Sequence, residues 1–158
     1  MYKIRLFFWE MVFFICMSGQ VEGVCFITVQ DINFGNINPL STTDIPATSQ
    51  ISIRCTQASL NGYNIKLSTG SSGDYSQRLM QRMGGGSVMG YNLYTAANHT
   101  TVWGDGTSGT GFVGVVGHVT CNLGNPCTHT IYGLLDIPQP TVWAGSYLDT
   151  ITTTLTFF

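Results

Sequence analysis

The chain has 158 residues, which fits one domain. Only 9% of them are charged, 6 Lys and Arg against 8 Asp and Glu, for a net charge of −2. That balance supplies no basic stripe for nucleic acid and no polybasic segment for a membrane surface, so solubility falls to hydroxyls and amides.

Residues 1–23 read as an export segment and not as part of a fold. Lys3 and Arg5 give a positive start, and residues 6–17 are mostly apolar, carried by Phe7, Phe8, Trp9, Met11, Val12, Phe13, Phe14 and Ile15 and interrupted by Glu10. The run is shorter than the about 20 apolar residues of a membrane-spanning helix. Its length and flanks suit a secretory signal peptide. Val21-Glu22-Gly23 is the best cleavage site and would leave Val24 as the new N-terminus. Neither Cys16 nor Cys25 follows the small-residue pattern of a lipidation site, so no membrane anchor is expected in residues 24–158. That part keeps four basic residues, Arg54, Lys66, Arg78 and Arg82, and six acidic ones, Asp31, Asp44, Asp74, Asp105, Asp136 and Asp149.

Cys16 leaves with the signal, and the four cysteines that remain in an exported chain read as disulfides. Three connectivities are open. Spacing favours Cys121 with Cys127, closing a small loop around Asn125-Pro126, and therefore Cys25 with Cys55, tying the first strand to a later one. The chain-entropy model gives about 3–4 kcal/mol for the longer loop and about 2 kcal/mol for the shorter.

Beyond Cys25 the pattern has a period of two, without sustained helical periodicity. In residues 50–55, Ile51, Ile53 and Cys55 share one face and Ser52 and Arg54 the other. Tyr63, Ile65 and Leu67 alternate against Asn64, Lys66 and Ser68. Tyr91 and Leu93 alternate against Asn92 and Tyr94. Residues 112–120 are valine-rich and bounded by glycines, and residues 128–135 form another candidate strand. The last run, residues 147–158, puts Tyr147, Ile151, Leu155 and Phe157 on one face, with Asp149 and Thr153 as polar exceptions. Turn chemistry separates these runs at Asn38-Pro39, Asn61-Gly62, Ser71-Ser72-Gly73-Asp74, Gly84-Gly85-Gly86, Asp105-Gly106 and Gly145-Ser146. Short strands at this spacing predict an all-β sandwich over residues 24–158.

The residues also carry a family resemblance. Cys25-Phe26, Phe34-Gly35, Asn38-Pro39-Leu40-Ser41 and Ile51-Ser52-Ile53-Arg54-Cys55 are followed in order by Leu67-Ser68-Thr69-Gly70, Arg78-Leu79-Met80 and Tyr91-Asn92-Leu93-Tyr94. Val102-Trp103-Gly104-Asp105-Gly106-Thr107, Tyr132-Gly133 and Gly145-Ser146-Tyr147-Leu148-Asp149-Thr150 complete the set. In this order the chain resembles the spore coat protein U domain of archaic, Csu-type chaperone–usher pilus subunits. The resemblance implies an immunoglobulin-like sandwich that lacks its last strand and is completed by a donated one. A periplasmic chaperone lends that strand first, and the N-terminal extension of a neighbouring subunit replaces it after passage through an outer-membrane usher. It further implies a chain exported through the periplasm to a fimbria on the cell surface, or to the medium, with a role in adhesion and biofilm formation.

The donated strand is expected along the last run. Gly145 and Phe157 match the glycine and the near-terminal aromatic of pilus subunits, and Tyr147, Ile151 and Leu155 complete the contact set. The run ends at Phe158, leaving the far edge of its strand open to a partner. If cleavage follows Gly23, only Val24 precedes Cys25, so the chain accepts a strand but has little to donate. A tip position, a terminal position or an unusual linkage in the fibre is therefore expected. Cys121 and Cys127 form an extra staple outside the family pattern.

Other constellations have plainer readings. Gly104, Gly106 and Gly109 spell G-x-G-x-x-G, but the β-rich residues 112–116 replace the helix that would hold phosphates. His118, Cys121, Cys127 and His129 could be drawn as a zinc site, which a disulfide would remove. His99, His118 and His129 with Asp105, Asp136 or Asp149 lack a nucleophile motif such as G-x-S-x-G. No catalytic residue, metal or cofactor is therefore expected. Trp103, Trp143 and the seven tyrosines could line a sugar-binding face. A freestanding secreted β-sandwich that binds carbohydrate or a surface ligand is the alternative to the fimbrial subunit.

Overall fold

A computed structural model describes residues 4–7, 24–56 and 60–158. The export segment expected over residues 1–23, with its cleavage site at residues 21–23, lies outside the described residues except for Ile4–Phe7. Among the described residues ten strands follow one another: β1 Ile4–Phe7, β2 Cys25–Val29, β3 Ile45–Cys55, β4 Leu60–Leu67, β5 Arg78–Arg82, β6 Val88–Tyr94, β7 Val113–Val119, β8 Cys127–Leu135, β9 Tyr147–Thr150 and β10 Thr153–Phe157, with one short 3-10 turn at Gly70–Ser72. They form a seven-stranded sheet in the order β1-β9-β5-β6-β8-β3-β2 and a three-stranded sheet in the order β10-β4-β7. The protein is all-β and built of two sheets, as the alternating sequence predicts.

The alternation decides which side chains lie between the sheets. Ile51, Ile53 and Cys55 of β3, Tyr63, Ile65 and Leu67 of β4, and Tyr91 and Leu93 of β6 are all buried. Ile131 and Leu135 of β8 join them, with Ile32, Phe34 and Ile37 supplied by the segment between β2 and β3. Asn92 is buried as well, because residues 75 and 76 fold over it and accept its amide at 2.9 and 3.3 Å. Strand β3 is longer than the sequence suggested. It takes β8 as partner from Ile45 to Ile53, while β2 pairs only with Ile51–Cys55. Pro46 thus sits where β3 has a single neighbour, a position that tolerates the missing N–H.

Cys25 bridges Cys55, its direct cross-strand partner, and Cys121 bridges Cys127. The two links are joined by the backbone, since the Cys55 N–H donates to the Cys121 carbonyl at 2.7 Å. Both thiols of the suggested zinc site are consumed in the second link. Gly104, Gly106 and Gly109 lie in the loop before β7, and a strand, not a helix, follows them.

The final run changes sheets. Its first half, β9, pairs with β5 in the large sheet, and its second half, β10, pairs with β4 in the small one. Between them the Thr152 N–H donates to Ser68 Oγ at 2.9 Å, and the Ser68 N–H to the Thr152 carbonyl at 3.0 Å. One continuous segment therefore ties the two layers together along one side of the molecule.

Candidate functional site

Strand edges carry backbone donors and acceptors, and an edge without a neighbour is a place to add a strand. Strand β10 pairs with β4 from Thr153↔Leu67 to Phe157↔Tyr63, and its other edge has no partner among the described residues. Strand β9 pairs with β5 through Leu148 and Tyr147 on one side. On the other side it pairs with β1, in parallel, from Ile4↔Tyr147 to Phe7↔Thr150. Among the described residues, the outer edge of the last segment is therefore occupied along β9 by Ile4–Phe7 and open along β10.

Side chains of that segment alternate strictly. Tyr147, Asp149, Ile151 and Thr153 are buried, and Leu155 and Phe157 are half-buried. Of the residues assigned to strand contact, Tyr147 and Ile151 thus sit deep between the sheets, and Leu155 and Phe157 lie at the rim. Phe157 packs edge-on against Tyr63, with ring centroids 6.3 Å apart. The Tyr63 hydroxyl lies 2.7 Å from His129 Nε2, so the rim carries a cross-sheet aromatic and hydrogen-bonded cluster. Burial raises the Tyr63 phenol pKa and lowers that of the His129 imidazole. Gly145 stands at φ +153, and a side chain there would meet Arg82 Nε at 2.8 Å. That nitrogen donates to the Ala144 carbonyl, so Gly145 is needed for local packing beside the edge and not on it.

Asp149 and Thr153, the two polar exceptions of the sequence pattern, share the inner face with their neighbours. Asp149 is fully engaged: its Oδ2 accepts the Tyr91 hydroxyl at 2.7 Å, and its Oδ1 accepts the Ser71 and Thr150 N–H groups, each at 2.9 Å. Burial, followed by the Asp149 charge, pushes the Tyr91 phenol pKa far up, keeping it a donor. Thr153 Oγ1 is buried and has no hydrogen-bond partner among the described residues. Behind this row the Arg78 guanidinium is fully buried. It donates to the Ser68 carbonyl at 2.7 and 3.0 Å, to the Trp103 carbonyl at 2.7 Å and to Asn92 Oδ1 at 2.6 Å. The sequence places Arg78 among the four basic residues and in the Arg78-Leu79-Met80 match, and assigns it no role in the interior.

The aromatic residues drawn together from the sequence divide between core and surface, with Tyr75, Tyr94 and Tyr132 half-buried and Tyr94 directly opposite Tyr132. Trp103 is buried, with its indole N–H donating to the Ile65 carbonyl at 2.9 Å, and Tyr63, Tyr91 and Tyr147 are core residues. Trp143 alone of this pair of tryptophans is exposed, at 58%. It rests on Gly86 of the β5–β6 hairpin, 5.9 Å from the Arg82 guanidinium. Met83 and Val88 of the same hairpin are exposed too, giving an apolar end that the triple glycine signalled only as a turn.

Three comparisons bear on this arrangement. The family model of the Spore Coat Protein U domain matches residues 12–154. Among solved structures, the chain is similar to a chain in the crystal structure of the CsuC–CsuE chaperone–tip adhesion subunit pre-assembly complex from the archaic chaperone–usher Csu pili of Acinetobacter baumannii. The TM-score is 0.58 at 24% identity, a likeness of fold. The match covers 87% of this chain and 40% of that one, so the chain spans less than half of that protein's length. No curated protein sequence matches the chain.

Proposed function

The chain belongs to the Spore Coat Protein U domain family, and from this we propose that it is a structural subunit of a surface fimbria, assembled by a chaperone–usher pathway. The observation that carries the reading is the edge of the last segment. Among the described residues strand β10 has a neighbour on one side only, and Leu155 and Phe157 are left half-buried at the rim. The β9 stretch of the same edge already takes an added parallel strand, Ile4–Phe7. If residues 1–23 are a signal peptide removed after Gly23, that strand departs and the edge opens along its whole length. A donated strand would then pair with backbone groups that have no other partner and cover the rim side chains.

The family, the fold shared with a chain of a chaperone–subunit complex, and two disulfides in the described chain favour passage through an oxidising periplasm to the cell surface. The partners on this reading are a periplasmic chaperone, an outer-membrane usher and neighbouring subunits. The role is structural and not enzymatic. A tip or terminal position, with adhesion and biofilm formation, is the finer form of the proposal. The exposed Trp143, Met83 and Val88 at one end supply apolar area for such contact.

Co-expression with a periplasmic chaperone of a chaperone–usher system from the same cells tests the proposal. A one-to-one complex should be recovered from the periplasm, and the chain expressed alone should aggregate or be degraded. A stable monomer that ignores the chaperone would favour a freestanding binding module instead.

A further inference from the structure

The loop between β6 and β7 holds a feature that strand addition does not use. Asn98-His99-Thr100 is the single Asn-x-Ser/Thr triplet of the chain with a residue other than proline in the middle. It stands at the tip of a hairpin pinned by the Tyr94↔Val102 bridge and by the Thr95 N–H donating to the Thr101 carbonyl at 3.1 Å. Asn98 and Thr100 are exposed, and His99 is held in the left-handed region at φ +52, its ring edge-on to Tyr94 at 5.1 Å. The His99 N–H donates to the Ala96 carbonyl at 3.1 Å, closing the turn.

The side chains of the triplet are arranged for a reaction at the amide. Asn98 Oδ1 accepts the Thr100 hydroxyl at 3.0 Å and the Thr100 N–H at 3.3 Å. Both donors draw electron density towards the carbonyl oxygen, which makes the N–H groups of the same carboxamide more acidic. Asn98 Nδ2 itself has no hydrogen-bond partner among the described residues and lies on an exposed side chain. We propose that Asn98 is an N-glycosylation site, accepting a sugar from a glycosyl diphosphate carried on a nucleotide or on a lipid. In that transfer Nδ2 forms a bond to the anomeric carbon and loses one proton to a base of the transferase. The carbon–oxygen bond to the diphosphate breaks, and the diphosphate leaves with the electron pair. Nothing is oxidised or reduced. The hairpin tip contributes no residue to the buried core, so a sugar there displaces no packing.

The inference rests on the export reading for access to a lipid-linked donor, but not on strand donation. The test is mass spectrometry of the peptide spanning residues 95–103 from protein isolated from the surface of its own cells. Wild-type chains should carry a hexose or an oligosaccharide on Asn98, Thr100→Ser should retain it, and Asn98→Gln and Thr100→Ala should lose it. The same peptide from the precursor retained in the cytoplasm, which still bears residues 1–23, separates the donors: sugar already on the precursor would assign the nucleotide-linked donor, and sugar on the surface chains alone the lipid-linked one. Bare Asn98 in every surface chain, or sugar persisting at Asn98 in Thr100→Ala, overturns the site. Neither result touches the strand-addition proposal, which chaperone binding reads separately.

Discussion

At the scale of single residues, the buried Arg78 is the most demanding group in the fold. Burial lowers its pKa, and it stays satisfied only because two backbone carbonyls and an amide oxygen converge on it. Arg78→Ala would leave those acceptors unpaired in the interior, each costing about 1–3 kcal/mol. The expected loss is about 3–5 kcal/mol in denaturant unfolding, and a loss under about 1 kcal/mol would mean that the acceptors find other donors. His129 titrates in the opposite sense from a stabilising ion pair. Burial holds its pKa below 6.5 when folded, so the fold favours the neutral ring. The melting temperature should be level above that pH and fall as the pH drops through 6.5 towards the folded value, and the fall should be smaller in His129→Gln. Neither role was legible beforehand. Arg78 and His129 take their environments from strands distant in sequence, and period-two alternation says which face a residue occupies but not what covers that face.

At the scale of elements, the last segment was read well in one respect and incompletely in another. The alternation of residues 147–157 is borne out at every odd position, including Asp149 and Thr153. The passage from one sheet to the other between β9 and β10 was not foreseen, because pairing partners are non-local and the alternation continues unbroken across the switch. Strand β5 was missed for a similar reason: a five-residue run with arginine at both ends looks like surface until Arg78 finds its acceptors. The two polar exceptions then behave differently. Asp149 is satisfied by three donors, whereas Thr153 Oγ1 has none among the described residues. Thr153→Val keeps the shape and removes the unpaired hydroxyl, so it should raise stability by about 1 kcal/mol. A loss of similar size in thermal unfolding would mean that the hydroxyl has a partner in solution. Glycine at position 70 is fixed by the same carboxylate: φ is +68, and a side chain would run into Asp149. Of the two disulfides, the one closing the longer loop should matter more. Cys55→Ala should cost about 3–4 kcal/mol and Cys121→Ala about 2 kcal/mol, compared by denaturant midpoints under non-reducing conditions.

At the scale of the whole molecule, a chain with 9% charged residues has little with which to guard its open strand edges. Strand β10 carries no Lys, Arg, Asp, Glu or Pro, and its rim side chains are half-buried without a cover. Such an edge either receives a strand or exposes the molecule to uncontrolled pairing, and on the fimbrial proposal a chaperone that lends one resolves both. Hydrogen exchange at the backbone amides of residues 153–157 tests this most directly, pulsed on the processed chain freshly refolded at low concentration and on its complex with the proposed chaperone. The account predicts that the amides on the outer edge of β10 exchange rapidly in the free chain and become protected in the complex, while those paired with β4 change little. Equal protection of both edges in a free, monomeric and cooperatively folded chain would contradict it.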